Sequence, residues 1–363
     1  MTMKFFRTLS HFQKDLADIT MQEDEYLLMF IGEDTKDMIE AIIDTCNQYQ
    51  VRVVGAIFPK IISFEGVHTA GIITEKIKTT QAPTIIQNIE QSSPLPALHS
   101  TTKTSLVLVD GLSSHITPFL SNLYNTWGDS TYYIGGGAGS ISLQQQPCIF
   151  SNEGVFQEAA LVCFLPQEIR PSVQHGWKSF IDMPLVASKT VDNTIQELNW
   201  GSAFHMYKEL IGTDIVQEMT TENFFEIARC YPFGIVREND ELIVRDPIAT
   251  NEEGELVCVG DIPENTILRV LKGTTTDLLT AAKKVKRESL GTLTASLKSY
   301  FVFDSISRAM CLQEDFQQEL DIIREGITQS CFLGALTLGE IAAYKDGQVE
   351  FFNKTIVTGA LYE

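Results

Sequence analysis

Polar and ionisable residues stand out where they interrupt apolar strings, and the C-terminal part of this chain holds the densest such set. Phe303-Asp304-Ser305-Ile306-Ser307-Arg308 ends an apolar strand on hydroxyls and a guanidinium. Further on, Glu340 lies within Leu336-Thr337-Leu338-Gly339-Glu340-Ile341, and Asn353 and Lys354 follow Phe351-Phe352. An ionised carboxylate among Leu and Ile needs a partner, and Arg308 is the candidate for Glu340. Two chemistries fit. One is a buried ion pair that fixes strand register. The other is a ligand cluster, with Glu340 for an ammonium, Arg308 for a carboxylate, and Ser305 and Asn353 beside them. On the second reading, Arg308→Ala abolishes ligand stabilisation and leaves the fold intact.

The other local signal is Ile134-Gly135-Gly136-Gly137-Ala138-Gly139-Ser140 after a strand. Consecutive glycines let a backbone approach a ligand and turn N–H groups on an anion, so Gly136 and Gly137 join the candidate site. A tight turn or a crowded strand crossing explains them equally well. Familiar catalytic spacings are missing. The sequence has no GxSxG elbow, no P-loop, no HExxH and no CxxC pair. No catalytic residue and no metal ligand is assigned. A nucleophile such as Cys331 or Ser305 with a distant His would have to be assembled in space.

The elements that would position these residues follow from periodicity. Phe5, Leu9, Phe12 and Leu16 recur on one helical face and predict a helix over Met1 to Asp18. From Glu25, apolar strands alternate with helices: a strand at Tyr26 to Ile31, a helix carrying Ile42, Ile43 and Cys46, and a strand at Val51 to Ile57. The pattern returns at Ser105 to Val109, a helix near Thr117 to Trp127, and a strand at Thr131 to Ile134. Gln91 to Thr102 reads as an exposed loop. Val155 to Leu165 and Pro171 to Phe180 read as an antiparallel meander, and Ser202 caps a short helix. Short strands follow, with turns at Glu238 to Asp240 and Asn251 to Gly254, then helices near Thr276 to Arg287 and around Leu312 to Ile323. Two long strands, Cys331 to Tyr344 and Gln348 to Thr358, close the chain at the hairpin dipeptide Asp346-Gly347. No internal sequence repeat is visible. The expected fold is α+β, with two domains and mixed sheets layered with helices. An N-terminal extension covers 1–22, and the domains span 23–201 and 202–363.

Composition narrows the class. The 47 acidic against 27 basic residues give a net charge of −20, which repels phosphate backbones and anionic lipid heads. Nucleic acid is therefore not an expected partner, and no apolar stretch reaches the length of a membrane span. The seven cysteines are scattered and odd in number, a poor disulfide framework, and most sit in apolar strings. These features predict a reduced, cytoplasmic protein.

Taken in order along the chain, several motifs resemble the FIST family of F-box and intracellular signal transduction sensory proteins. They are Val54-Gly55-Ala56, the glycine segment 135–139, His175-Gly176-Trp177, Pro232-Phe233-Gly234, Val244-Arg245-Asp246, Gly260 to Pro263, Gly334 through Ile341, and Asn353-Lys354-Thr355. The resemblance implies N- and C-terminal FIST domains and a sensor of small ligands, amino acids among them. It implies output in trans through a histidine kinase or a cyclase. Some relatives bind haem and respond to nitric oxide. A haem-based reading here would draw an axial ligand from His68, His175, His205 or a cysteine. Two positions depart from the family pattern: Phe352 stands where relatives often carry His, and Ser305 and Ser307 stand where they often carry Cys and Gly. The leading expectation is a non-enzymatic ligand-binding sensor without a resident cofactor. The alternatives are a haem sensor and a ligand-free protein-interaction scaffold.

Overall fold

The computed structural model describes residues 3–89, 94–237, 241–291, 296–343 and 348–362. It is an α+β structure with mixed sheets covered by helices and an antiparallel barrel. Its organising feature is a unit that occurs three times. A strand leads into a helix and a parallel strand. The chain then leaves as a hairpin and returns as a strand antiparallel to the first.

The first unit comprises strand Glu25–Gly32, helix Ile39–Gln48, strand Val53–Phe58, hairpin Lys60–Ser63/Gly66–His68 and return strand Ile72–Lys78. The second has Thr104–Asp110, helix Ile116–Trp127, Tyr132–Ala138, hairpin Ile149–Ser151/Gly154–Phe156 and return strand Ala159–Leu165. The third has Leu297–Ser305, helices Ile306–Leu312 and Phe316–Arg324, Phe332–Thr337, the pair Glu340–Ala343/Val349–Phe352 and return strand Ile356–Tyr362. Continuous apolar strands flanked by amphipathic helices make this the expected solution, because strands buried on both faces must be covered on both.

The hairpins are exchanged in a ring. The first unit's hairpin pairs with the third unit's parallel strand, Ile61 opposite Ala335. The third unit's pairs with the second, Glu340 opposite Gly136. The second unit's pairs with the first, Phe150 opposite Gly55. The repeat was invisible in the sequence because it lies in topology, while each unit fills its core with different side chains.

Between the second and third units the chain builds a closed six-stranded antiparallel barrel. Its strands, in order around the ring, are Leu185–Val191, Thr194–Leu198, Leu256–Val259, Leu242–Thr250, Phe233–Val236 and Thr266–Lys272, and the last pairs with the first. Helix Ala203–Ile211, capped by Ser202 Oγ accepting from the His205 amide, adds Ala203, Tyr207 and Ile211 to the barrel core. Residue 201 lies within this barrel, and strands from both sides of it share the sheets.

Four local expectations are corrected. The N-terminal helix is shorter, Leu9–Leu16, because Lys4–Phe6 pairs with Ile72–Thr74 as an edge strand. The segment from Val155 to Phe180 is not a meander: Ala159–Leu165, Pro171–Gln174 and Lys178–Ser179 enter three different sheets. The strand foreseen at Thr131 to Ile134 extends through the glycines to Ala138. Both long closing strands are broken, at Leu338-Gly339 and at Asn353-Lys354-Thr355, where the chain steps from one sheet to another. Residues 94–102 lack regular structure, as the loop expectation required. The dipeptide Asp346-Gly347, the turn 238–240 and residues 91–93 lie outside the described residues.

Candidate functional site

The two strand breaks meet the end of Leu297–Ser305 at one cleft, enclosed by the second and third units on one side and the barrel on the other. It holds about 620 Å³ including its open mouth. Its walls are largely apolar and include Leu112, Ile141, Phe225, Ile248, Met310 and Leu338; Asp246, Ser305, Ser307, Thr337 and Asn353 supply its polar side chains.

Each polar group is placed by a strand end. Ser305 Oγ accepts the Lys354 amide at 3.2 Å, which leaves its hydroxyl hydrogen free. The Asn353 side chain gives its Nδ2 hydrogen to the Phe352 carbonyl at 3.1 Å, while Oδ1 is buried without a donor. Asp246 arrives from the barrel and faces Lys354 Nζ at 3.1 Å, a contact that leaves both carboxylate oxygens without an aligned donor. Burial pushes the Asp246 carboxyl up, against the pull of Lys354. Lys354 itself is fully buried. Its Nζ donates to the Arg229 carbonyl at 2.6 Å and lies 5.6 Å from the Trp177 ring centroid, and Trp177 Nε1 donates to the Lys354 carbonyl at 2.9 Å. One ammonium therefore ties the closing strand to the barrel.

Ser305 and Asn353 of the expected set line the cleft. Arg308 and Glu340 lie behind it, and they are not hydrogen-bonded to each other. Arg308 points from its helix toward Phe316–Arg324, where it makes a fork on Glu319: Nε to Oε1 at 2.9 Å and Nη2 to Oε2 at 2.7 Å. Its remaining bonds go to the carbonyls of Leu278, at 2.6 Å, and His175. Glu340 accepts from Thr337 Oγ1 at 2.8 Å and from the Thr355 amide at 3.2 Å. Burial pushes its carboxyl well above the usual range. The Thr337 hydroxyl also reaches the Asp304 carbonyl at 3.1 Å, and it has one hydrogen for two acceptors. A protonated Glu340 resolves the conflict by donating to Thr337, which then donates to Asp304.

Gly136 and Gly137 serve the crossing and not an anion. The Gly137 amide donates to the Gly339 carbonyl at 2.7 Å, and Leu338 donates back to Gly137 at 2.9 Å. A Cβ on Gly136 would sit 2.7 Å from Thr337 Cγ2, and one on Gly137 2.5 Å from the Leu338 carbonyl oxygen. The glycines thus admit the exchanged hairpin that forms the cleft floor.

Sequence reasoning missed Asp246, Lys354, Thr337 and Glu319 as members of this network. The first two carried a signal: a charged residue inside an apolar string, as in Ile243-Val244-Arg245-Asp246. Among the described residues, no group of three His, Cys, Asp or Glu is placed to hold a metal ion, and no helix is long and apolar enough to cross a membrane.

A search of curated proteins finds no match. Two family models do match: the FIST N domain over residues 25–201 and the FIST C domain over residues 203–343. Between them they cover every strand that walls the cleft except the closing ones, and the chain belongs to the FIST family of sensory signalling proteins.

Proposed function

We propose that the cleft is the ligand site of a sensory module, and that it takes a small molecule carrying a protonated amine beside an apolar group, such as an amino acid. One observation carries this reading: a buried acceptor, Asn353 Oδ1, lacks a donor at the polar end of an otherwise apolar cleft, on the same lining as the Asp246 carboxylate. An ammonium supplies the missing hydrogens, and the walls accept an aliphatic or aromatic side chain. The hydroxyl of Ser305 is at hand for a carboxylate. Occupancy draws the barrel toward the sheets, and a signalling protein in trans, a histidine kinase or cyclase, reads that difference. Such coupling requires that ligand and partner each prefer the same conformation.

A thermal-shift panel of amino acids tests the site. At about 100 times its dissociation constant, a ligand adds about 2.7 kcal/mol and visibly raises Tm. The N-acetylated form of a hit, which lacks the ammonium, should give no shift. Asn353→Leu should weaken binding by about 10- to 100-fold, since a hydrogen bond to a charged group contributes about 1.5–3 kcal/mol. An undiminished response in that variant would reject Asn353 as a contact.

Haem suits this cleft poorly. Among the described residues, Met310 is the one lining side chain of a type that ligates haem iron, and no His, Cys or Tyr lines the cleft. His175 is half-buried behind the cleft, its Nδ1 accepting the Trp177 amide at 3.0 Å, and desolvation with nearby Arg308 lowers its imidazole to about 4. Haemin titration should give no Soret band, and a stoichiometric band would restore the haem reading.

A further inference from the structure

The cysteines divide into two groups. Cys46, Cys148, Cys163, Cys258 and Cys331 are buried, whereas Cys230 and Cys311 are half-buried. The two half-buried thiols are neighbours, each the strongest influence on the other's titration. They come from opposite sides of the cleft. Cys230 follows helix Phe224–Ala228, whose Phe225 lines the cleft, and leads into the barrel strand Phe233–Val236. Cys311 lies in helix Ile306–Leu312 of the third unit, directly after Met310, another lining residue. The Lys354 ammonium, held on the Arg229 carbonyl, stands beside both.

We propose that Cys230 and Cys311 are a reversible redox couple, closed to a disulfide by peroxide or by a disulfide oxidant, that locks the barrel to the third unit across one end of the cleft. With hydrogen peroxide the Cys230 thiolate attacks one oxygen. The O–O bond breaks, and the departing hydroxide takes a proton to become water. Cys311 then attacks the resulting sulfenic sulfur, the S–S bond forms, and a second water leaves. The two sulfurs together give up the two electrons that reduce the peroxide. A dithiol reductant reverses the step.

The surroundings select Cys230 as the attacking thiol. The hydrogen bond from Cys311, with the charges of Lys354 and Arg229, lowers Cys230 to about 7 against burial and the opposing Asp246. Cys311, as the donor of that bond, is held protonated. A thiolate near ambient pH is the effective nucleophile in exchange and oxidation. Burial instead pushes Cys46, Cys148, Cys163 and Cys258 up.

The test uses the full chain, reduced and then exposed to equimolar hydrogen peroxide, with remaining thiols alkylated before digestion and mass analysis. The expected product is one dithiothreitol-reversible peptide linking Cys230 to Cys311, with the five buried cysteines unoxidised. In Cys311→Ser, dimedone should trap a sulfenic acid on Cys230; in Cys230→Ser, Cys311 should stay unmodified. Near pH 7, iodoacetamide should label Cys230 at least about 10-fold faster than Cys311. Absence of the linked peptide, or linkage through a buried cysteine, overturns the couple. Its effect on the cleft rests on the ligand reading above and is read separately. The oxidised chain should exchange a thermal-shift hit at least about 10-fold more slowly than the reduced chain. Equal exchange with the link intact overturns the lock and leaves the couple standing.

Discussion

Replacing Arg308 by Ala is expected to cost about 3–5 kcal/mol of folding stability, read as a shift in the urea midpoint. The sequence suggested a ligand contact whose loss would spare the fold. The structure shows an arginine with no exposed surface, whose Nε, Nη1 and Nη2 all donate to protein acceptors. Truncation removes the hydrogen-bonded cation from Glu319, itself fully buried, and takes the guanidinium from Asp304, 3.7 Å from Nε. Both Asp304 oxygens already lack donors, and burial with Glu319 nearby holds that carboxyl well above its usual range. An uncompensated buried charge, not a lost contact, sets the cost. The double variant Arg308→Ala/Glu319→Gln should therefore recover part of the loss, because the amide needs no counter-ion. Full stability in Arg308→Ala together with a lost ligand response would return Arg308 to the ligand site.

The second large effect is one of pH. Glu75 sits on the return strand Ile72–Lys78 of the first unit and is 2% exposed. Its Oε1 accepts Ser299 Oγ at 2.8 Å, and its Oε2 has no partner. Burial raises the carboxyl to about 7, only partly offset by the Ser299 hydrogen bond and the positive charges of Lys298 and the N-terminus. The folded state thus holds a proton that the unfolded chain releases near its ordinary value of 4.5. Stability from this group is complete below that value. It declines as pH rises toward 7, by about 3 kcal/mol in all, and is flat above. Glu75→Gln keeps the acceptor for Ser299 and removes the titration. The difference between variant and parent in urea melts from pH 4 to pH 8 should grow by about that amount in favour of the variant. A constant difference would show that Glu75 titrates in the fold as it does in the unfolded chain.

Much of this architecture was legible because burial on both faces leaves an unmistakable mark. The strands at Tyr26 to Ile31 and Ser105 to Val109, and the helices beside them, follow from apolar runs and i, i+4 spacing. The cap at Ser202 follows from its hydroxyl. What could not be read was where an apolar run changes sheet. Phe332 to Ala343 is apolar almost throughout, so nothing in composition marks Leu338-Gly339 as a crossing; only the positive φ of Gly339, 101°, reveals the turn. The same limit governs the site. Ser305 and Asn353 were found because polar residues at the end of an apolar strand announce themselves. The partner of Arg308 was misassigned, since Glu319 looks like a solvated helix residue until the helix packs. Asp246 and Lys354, far apart in the chain, meet only through the barrel.

The ring of exchanged hairpins has a consequence for how the protein is made. The first unit's hairpin, Lys60–Ser63/Gly66–His68, finds its strand only in Phe332–Thr337, close to the other end of the chain. A nascent chain must therefore carry an unpaired apolar edge until Phe332–Thr337 has been made, and the ring closes only after the third unit has left the ribosome. Contacts of such long range slow folding, and each open edge is a template for a neighbouring chain. Demand for chaperone protection is set by topology, and substitutions that slow translation or folding of the last unit will lower yield without altering a single contact of the finished molecule.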